Sequence, residues 1–151
     1  MRRFKSIDEL GTAVGQELGE SSWVTVSQEM IDQFAQATGD FQWIHVDRAR
    51  AAKSQYGTTI AHGFLTLSLM ARLRDEIYDV ERVAWRINYG CDKVRFLAPV
   101  PSGGRVRLRL WLNEVEPSRQ GVRVVCAANI ELEGAPRPAC VADHIVLLVP
   151  E

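Results

Sequence analysis

One stretch of this chain decides most of what it can become. Between about His62 and Tyr78 it carries Phe64, Leu65, Leu67, Leu69, Met70, Ala71, Leu73 and Ile77. Wound as a helix, its first turns are apolar on nearly every side, and such a helix must be enclosed by the rest of the fold. It turns amphipathic only where Arg72, Arg74, Asp75 and Glu76 enter. Thr66 and Ser68 interrupt it, and it falls short of the roughly 20 apolar residues that cross a bilayer. The expectation is therefore a core helix, with no membrane partner.

The second half of the chain supplies something to enclose it. Val106, Leu108, Leu110 and Leu112 alternate with Arg105, Arg107, Arg109 and Trp111. Val122, Val124, Cys126, Ala128, Ile130 and Leu132 alternate in the same way, and Val141 to Val149 forms a third run. Period-two patterning with one polar face marks an antiparallel sheet covered on one side. Turn residues at Pro99–Gly104 and Pro117–Gly121 separate the strands. The economical assembly is α+β: a curved antiparallel sheet wrapped around one long buried central helix. The first half adds short helices. Ser6 and Glu9 fit a capping box for a helix reaching about Val14, and Trp23–Val26 looks like a short strand. Ser27 caps a helix whose Ile31, Phe34, Ala35 and Thr38 share a face, and Gly39 stops it. Asp47 can cap a short helix over 48–53. With 151 residues, the chain is expected to be a single domain, 1–151, with enough interior to fold unaided.

Composition removes several functions. Eighteen Lys and Arg against nineteen Asp and Glu leave a net charge of −1, without the basic stripe of a nucleic-acid binder. The three cysteines, Cys91, Cys126 and Cys140, lack CxxC spacing and read as reduced residues of a cytoplasmic protein. Acids follow the basic Met1–Lys5 and no apolar run does, so a signal peptide is not expected.

The residues that can carry chemistry are few. His144 sits among Val and Leu in the last strand and reads as a packed residue. His45 lies five residues after Asp40 in Thr38-Gly39-Asp40-Phe41-Gln42-Trp43-Ile44-His45. Gly39 ends a helix, so Asp40 stands in a loop, where catalytic groups concentrate. An Asp and a neutral His can share general-base and general-acid work. The plainer alternative is a capping Asp and a His packed under Trp43. His62-Gly63 opens the apolar helix, and a Gly there exposes N–H donors where the helix dipole favours negative charge. An oxyanion needs that arrangement, although Gly63 can equally serve close packing. Asp40, His45 and His62 could in principle ligate zinc, but no HxH or HxxxH spacing supports it, and no metal is expected.

Taken together, the stretches 34–47, 57–65, Ile87-Asn88-Tyr89-Gly90 and 93–100 resemble the MaoC-like dehydratases, the (R)-specific enoyl-CoA hydratases. The nearest flavour is a single-domain subgroup that resembles nodulation protein N and mycobacterial hydratases. The family motif reads G-D-x-N-P-x-H; here Asp40 and His45 stand intact while Gln42 and Trp43 replace its Asn and Pro. The resemblance implies a hot-dog fold and a homodimer with a continuous sheet. It implies catalysis by Asp40 and His45, with the Gly63 N–H polarising the thioester carbonyl of an acyl-CoA. It further implies substrate contacts at Gln42, His62 and Asn88. Lys93 and Arg95 become candidates for the CoA phosphates, with Arg72 or Arg86 in reserve. No cofactor is implied beyond water as second substrate. Two rivals remain. A hot-dog acyl-CoA thioesterase often has a carboxylate on or near the central helix, but 64–74 contains none and Asp75 comes near its end. A non-catalytic partner subunit of a hetero-oligomeric dehydratase would be expected to lack Asp40 or His45.

Overall fold

The computed structural model describes all 151 residues. Its main sheet has β2 (Glu17–Glu20), β6 (Arg105–Ser118), β7 (Gly121–Leu132), β8 (Cys140–Pro150) and β5 (Val83–Phe96) in that spatial order, with β3 (Val24–Thr25) also paired to β6. Every pairing in it is antiparallel. Register shifts near Leu112 in β6 and near Asn88 and Asp92 in β5 are bulges, which bend strands and let the sheet curl. The central helix α5 (Gly63–Arg74) packs on β6, β7 and β8. This is the hot-dog arrangement.

The alternation in β6 explains both faces of the sheet. Val106, Leu108, Leu110 and Leu112 are wholly buried against the core, each contributing about 1.5–3 kcal/mol. On the other face, Arg105 meets Glu133, Arg107 meets Glu131 and Glu20, and Arg109 meets Glu17. Opposite charges are thus matched strand to strand, which accounts for a strand rich in arginine within a nearly neutral protein. The hairpin between β6 and β7 is tighter than the turn expected over 117–121: Pro117 and Ser118 already pair with Val122 and Gly121.

Two expectations about α5 are corrected. The helix ends at Arg74, not near Tyr78, because β4 (Tyr78–Val80) leaves to pair in parallel with β1 (Arg2–Phe4). A partner more than seventy residues away captures that backbone. Nor is α5 enclosed on every side: Leu65, Thr66, Leu69, Met70, Leu73 and Arg74 are buried, but Phe64 is 67% exposed. Phe96 of β5, the outermost strand, packs against Phe64, and Trp85, Ile87 and Tyr89 are exposed elsewhere along the same strand. The first helix, α1 (Ile7–Gly11), is also shorter than expected. Its N-cap Ser6 accepts from the Glu9 N–H, while the Glu9 carboxylate reaches the Lys5 N–H, one residue before the cap.

Candidate active site

The site begins at the C-terminus of α2 (Gln28–Thr38). The Ser27 hydroxyl accepts from the Met30 N–H at its start, and Gly39 closes it at φ 79°, its N–H returning to the Ala35 carbonyl. That left-handed turn suits glycine and throws Asp40 out of the helix. Asp40 Oδ1 then accepts the Gln42 N–H at 3.3 Å, shaping the loop while the residue stays exposed. The short helix α3 (Trp43–Val46) swings His45 inward until it is buried.

His45 is held from three directions. Its Nδ1 lies 2.7 Å from the Ile60 carbonyl. A carbonyl only accepts, so Nδ1 carries the proton and Nε2 keeps its lone pair. The Ile60 N–H donates back to the Ile44 carbonyl at 3.0 Å. Gln28 Nε2 donates to the His45 carbonyl at 2.8 Å, and the Thr59 hydroxyl donates to Gln28 Oε1. Burial lowers the His45 pKa below its usual 6.5; the Ile60 bond and the Asp40 charge oppose that, and His62 reinforces it. The imidazole is therefore neutral near pH 7 and free to accept a proton.

His62 joins the two halves of the site. It is buried, its Nε2–H donates to the Asp40 carbonyl at 3.0 Å, and its ring stacks on His45 with centroids 3.8 Å apart. It immediately precedes α5, whose start no side chain caps. The first N–H groups of a helix have no partner within it, so those of Gly63 and its neighbours are open to a ligand. Gly63 also serves packing: a Cβ there would come within 2.9 Å of the Phe96 ring. The close-packing reading of this glycine therefore holds. Asp40, His45, His62, Gly63, Phe34 and Phe64 share one cavity of about 190 Å³.

The ligand atoms of Asp40, His45 and His62 lie within 4.8 Å of one another, a convergence the sequence spacing did not suggest. The two rings are only 25° from parallel. In-plane lone pairs of stacked rings run side by side rather than toward one point, which suits hydrogen bonding better than a tetrahedral ion.

The other sequence candidates stand elsewhere in the single chain. Gln42 is exposed and lines no part of this cavity. Asn88 borders a different cavity beside the middle of α5. Lys93, at φ 52° beside the β5 bulge, pairs with Asp143 on β8 at 2.8 Å, and Arg95 donates to its neighbouring Val94 carbonyl. Arg86 is engaged by Asp79, and Arg72 is exposed. Asn88, Lys93 and Arg95 all ride on β5, the outermost strand, and none of them lines the cavity that holds Asp40 and His45 in the single chain. Sequence reasoning missed Gln28, Thr59 and the Ile60 carbonyl. Nothing local marks them, since they reach His45 across 15 or more residues or through one another.

The family model described as MaoC like domain matches residues 9–134. The chain is 51% identical over 150 residues, 99% of each chain, to 3-hydroxyacyl-thioester dehydratase Z of Mycobacterium tuberculosis. It is 42% identical over 146 residues to nodulation protein N of Rhizobium leguminosarum bv. viciae, covering 95% of this chain and 91% of that one. Among solved structures, the unliganded R-hydratase PhaJ1 of Pseudomonas aeruginosa superposes with a TM-score of 0.77 at 24% identity, over 97% of this chain and 86% of that one. That last likeness is one of fold.

Proposed function

The chain belongs to the MaoC-like dehydratase family, and on that premise we propose that it is an (R)-specific hydro-lyase adding water reversibly to trans-2-enoyl-CoA, giving (R)-3-hydroxyacyl-CoA. The observation that carries this reading is the convergence of Asp40, His45 and the uncapped start of α5 on one cavity. The substrate class follows relatives named for 3-hydroxyacyl thioesters.

In this reading the Gly63 N–H donates to the thioester carbonyl and stabilises the enolate that develops on attack. Loss of one such donor costs about 10²–10³ in rate. Asp40 and the His45 Nε2 hold a water against the β-carbon. Its oxygen bonds to that carbon, its proton passes to the pair, and the pair delivers a proton to the α-carbon on the same face. In dehydration the same groups act in reverse. His62 lies beside both groups and holds the Asp40 backbone in place, and Gln42 at the loop surface meets the substrate as it enters. Water and these side chains are the only reactants the step uses.

A second copy of the chain is proposed to cover Phe64 and the exposed apolar residues of β5, because a long bare edge strand bearing Trp85, Ile87 and Tyr89 otherwise invites aggregation. The resulting homodimer brings the β5 residues Asn88, Lys93 and Arg95 of each copy toward the shared substrate path. Lys93 and Arg95, both exposed, then meet the CoA phosphates; the surface pair of Lys93 with Asp143 is weak enough to yield to one. The thioesterase alternative loses support, since Asp75 is tied to Arg74 at the far end of α5. The test is the ultraviolet loss of the enoyl chromophore of crotonyl-CoA and longer enoyl-CoAs, with chiral analysis of the product. The (R)-3-hydroxyacyl-CoA is expected; free thiol without hydration would overturn the proposal.

A further inference from the structure

Beneath the second and third turns of α5 lies another cavity, of about 300 Å³, bordered by Leu67, Met70, Ala71, Asn88, Cys91 and His144. Gly63, Leu67 and Ala71 stand four residues apart on one helix face, so this cavity lies about 6–12 Å along the axis from the Gly63 N–H. That is the direction and reach of a medium-length acyl chain whose carbonyl is held at Gly63.

The floor of the cavity is not the apolar surface such a chain needs. Along β8 the inward residues are Cys140, Ala142, Val146 and Leu148, all buried, and His144 stands among them as the one imidazole. It lies across from Cys91 on β5 and Cys126 on β7. Burial, with the Arg74 charge, pushes its pKa down to about 4, so it is neutral at physiological pH, with one N–H and one lone pair. Two buried polar groups in the same region lack a partner: Arg74 Nη1 and the Tyr78 hydroxyl. Buried polar groups are almost always bonded, and one left alone costs about 1–3 kcal/mol. These two, behind an open cavity that His144 and Asn88 border, mark a place where hydrogen bonds are completed from outside the chain. Arg74 can only donate, Tyr78 and Asn88 can donate, and neutral His144 offers one N–H. The set calls for oxygen.

Resting on the acyl-CoA reading above, we propose that this cavity receives the far end of the substrate's acyl chain and that this end carries an oxygen function, met by His144 and Asn88 with Arg74 and Tyr78 behind them. His144 and Asn88 are then specificity-determining residues, and a plain alkyl chain of equal length is the poorer ligand.

The test is binding, so it does not depend on turnover. Calorimetry compares octanoyl-CoA with its ω-hydroxy and ω-carboxy counterparts on the wild type, His144→Val and Asn88→Leu; the last alters an exposed residue and keeps the test valid if His144→Val fails to fold. One satisfied hydrogen bond of this kind is worth about tenfold in affinity. At least one oxygenated ligand is expected to bind wild type about tenfold tighter than octanoyl-CoA, the hydroxy and carboxy arms showing which oxygen is preferred, and each variant is expected to shrink that ratio toward one. Equal affinities for all three ligands, a preference untouched by either substitution, or no binding at all overturns the proposal. If crotonyl-CoA is not hydrated but the tail preference holds, the reaction assignment falls and the pocket stands.

Discussion

The two ends of α5 treat buried polar groups differently. At the N-terminal end His62 Nδ1 lacks a partner, but the groups around Asp40 and His45 are wired. His45 is held by Ile60, its backbone by Gln28, Gln28 by Thr59, and Asp40 by His62. At the C-terminal end Arg74 Nη1 and Tyr78 have no partner and His144 borders an open cavity. Catalytic groups need a fixed geometry, and a wired network provides it. Groups left short of partners keep hydrogen-bonding capacity for something that arrives later. Within one helix length, the fold separates the place where bonds change from a place that can sort what is bound.

That contrast can be broken by substitution. The largest effect is expected at the wired end: Asp40→Asn and His45→Ala should each lower kcat for enoyl-CoA hydration by about 10³-fold while leaving circular dichroism unchanged. Wild-type turnover in Asp40→Asn would remove the contrast altogether. The next tests the other end. Because His144 is held near 4 against its ordinary 6.5, the unfolded chain takes up a proton in acid that the folded chain refuses. Stability should therefore fall as pH drops from about 6.5 to about 4 and level off below, by about 3 kcal/mol from this group. Urea titrations across that range should show His144→Val spared that share of the loss. Gln28→Leu strands the His45 carbonyl and the Thr59 hydroxyl. It should cost about 2 kcal/mol and lower kcat more than it raises KM, because the His45 backbone is released. Smallest is Gly63→Ala, where the new methyl meets a Phe96 ring that is half exposed and can swing aside. A loss of about 1 kcal/mol is expected in thermal unfolding, and Phe96→Leu in the same chain should restore it.

Much of the wired end was legible because its signals are local. Ser27, Gly39 and the Asp40-to-His45 spacing act within a few residues, and capping, a left-handed stop and a short turn are written in neighbouring side chains. The alternation in β6 and β7 announced their buried face equally well. The polar end was not legible. His144 read as an ordinary strand residue, and it does pack as one. Nothing adjacent to it in the chain says that Cys91, Arg74 and Asn88 come to surround it, for they arrive from β5 and α5.

The sequence by itself determined that a helix too apolar for water would sit on an antiparallel sheet, and that an Asp and a His would stand near one helix end. Periodicity and capping are short-range physics, and they survive without knowledge of neighbours. Only the tertiary structure decided where α5 stops, since β1 claims the backbone beyond it. It alone set which side of α5 stays bare, which nitrogen of His45 is free and which polar groups go without partners. Each of those depends on atoms brought together from distant parts of the chain, and a hydrogen bond is won or lost over tenths of an ångström.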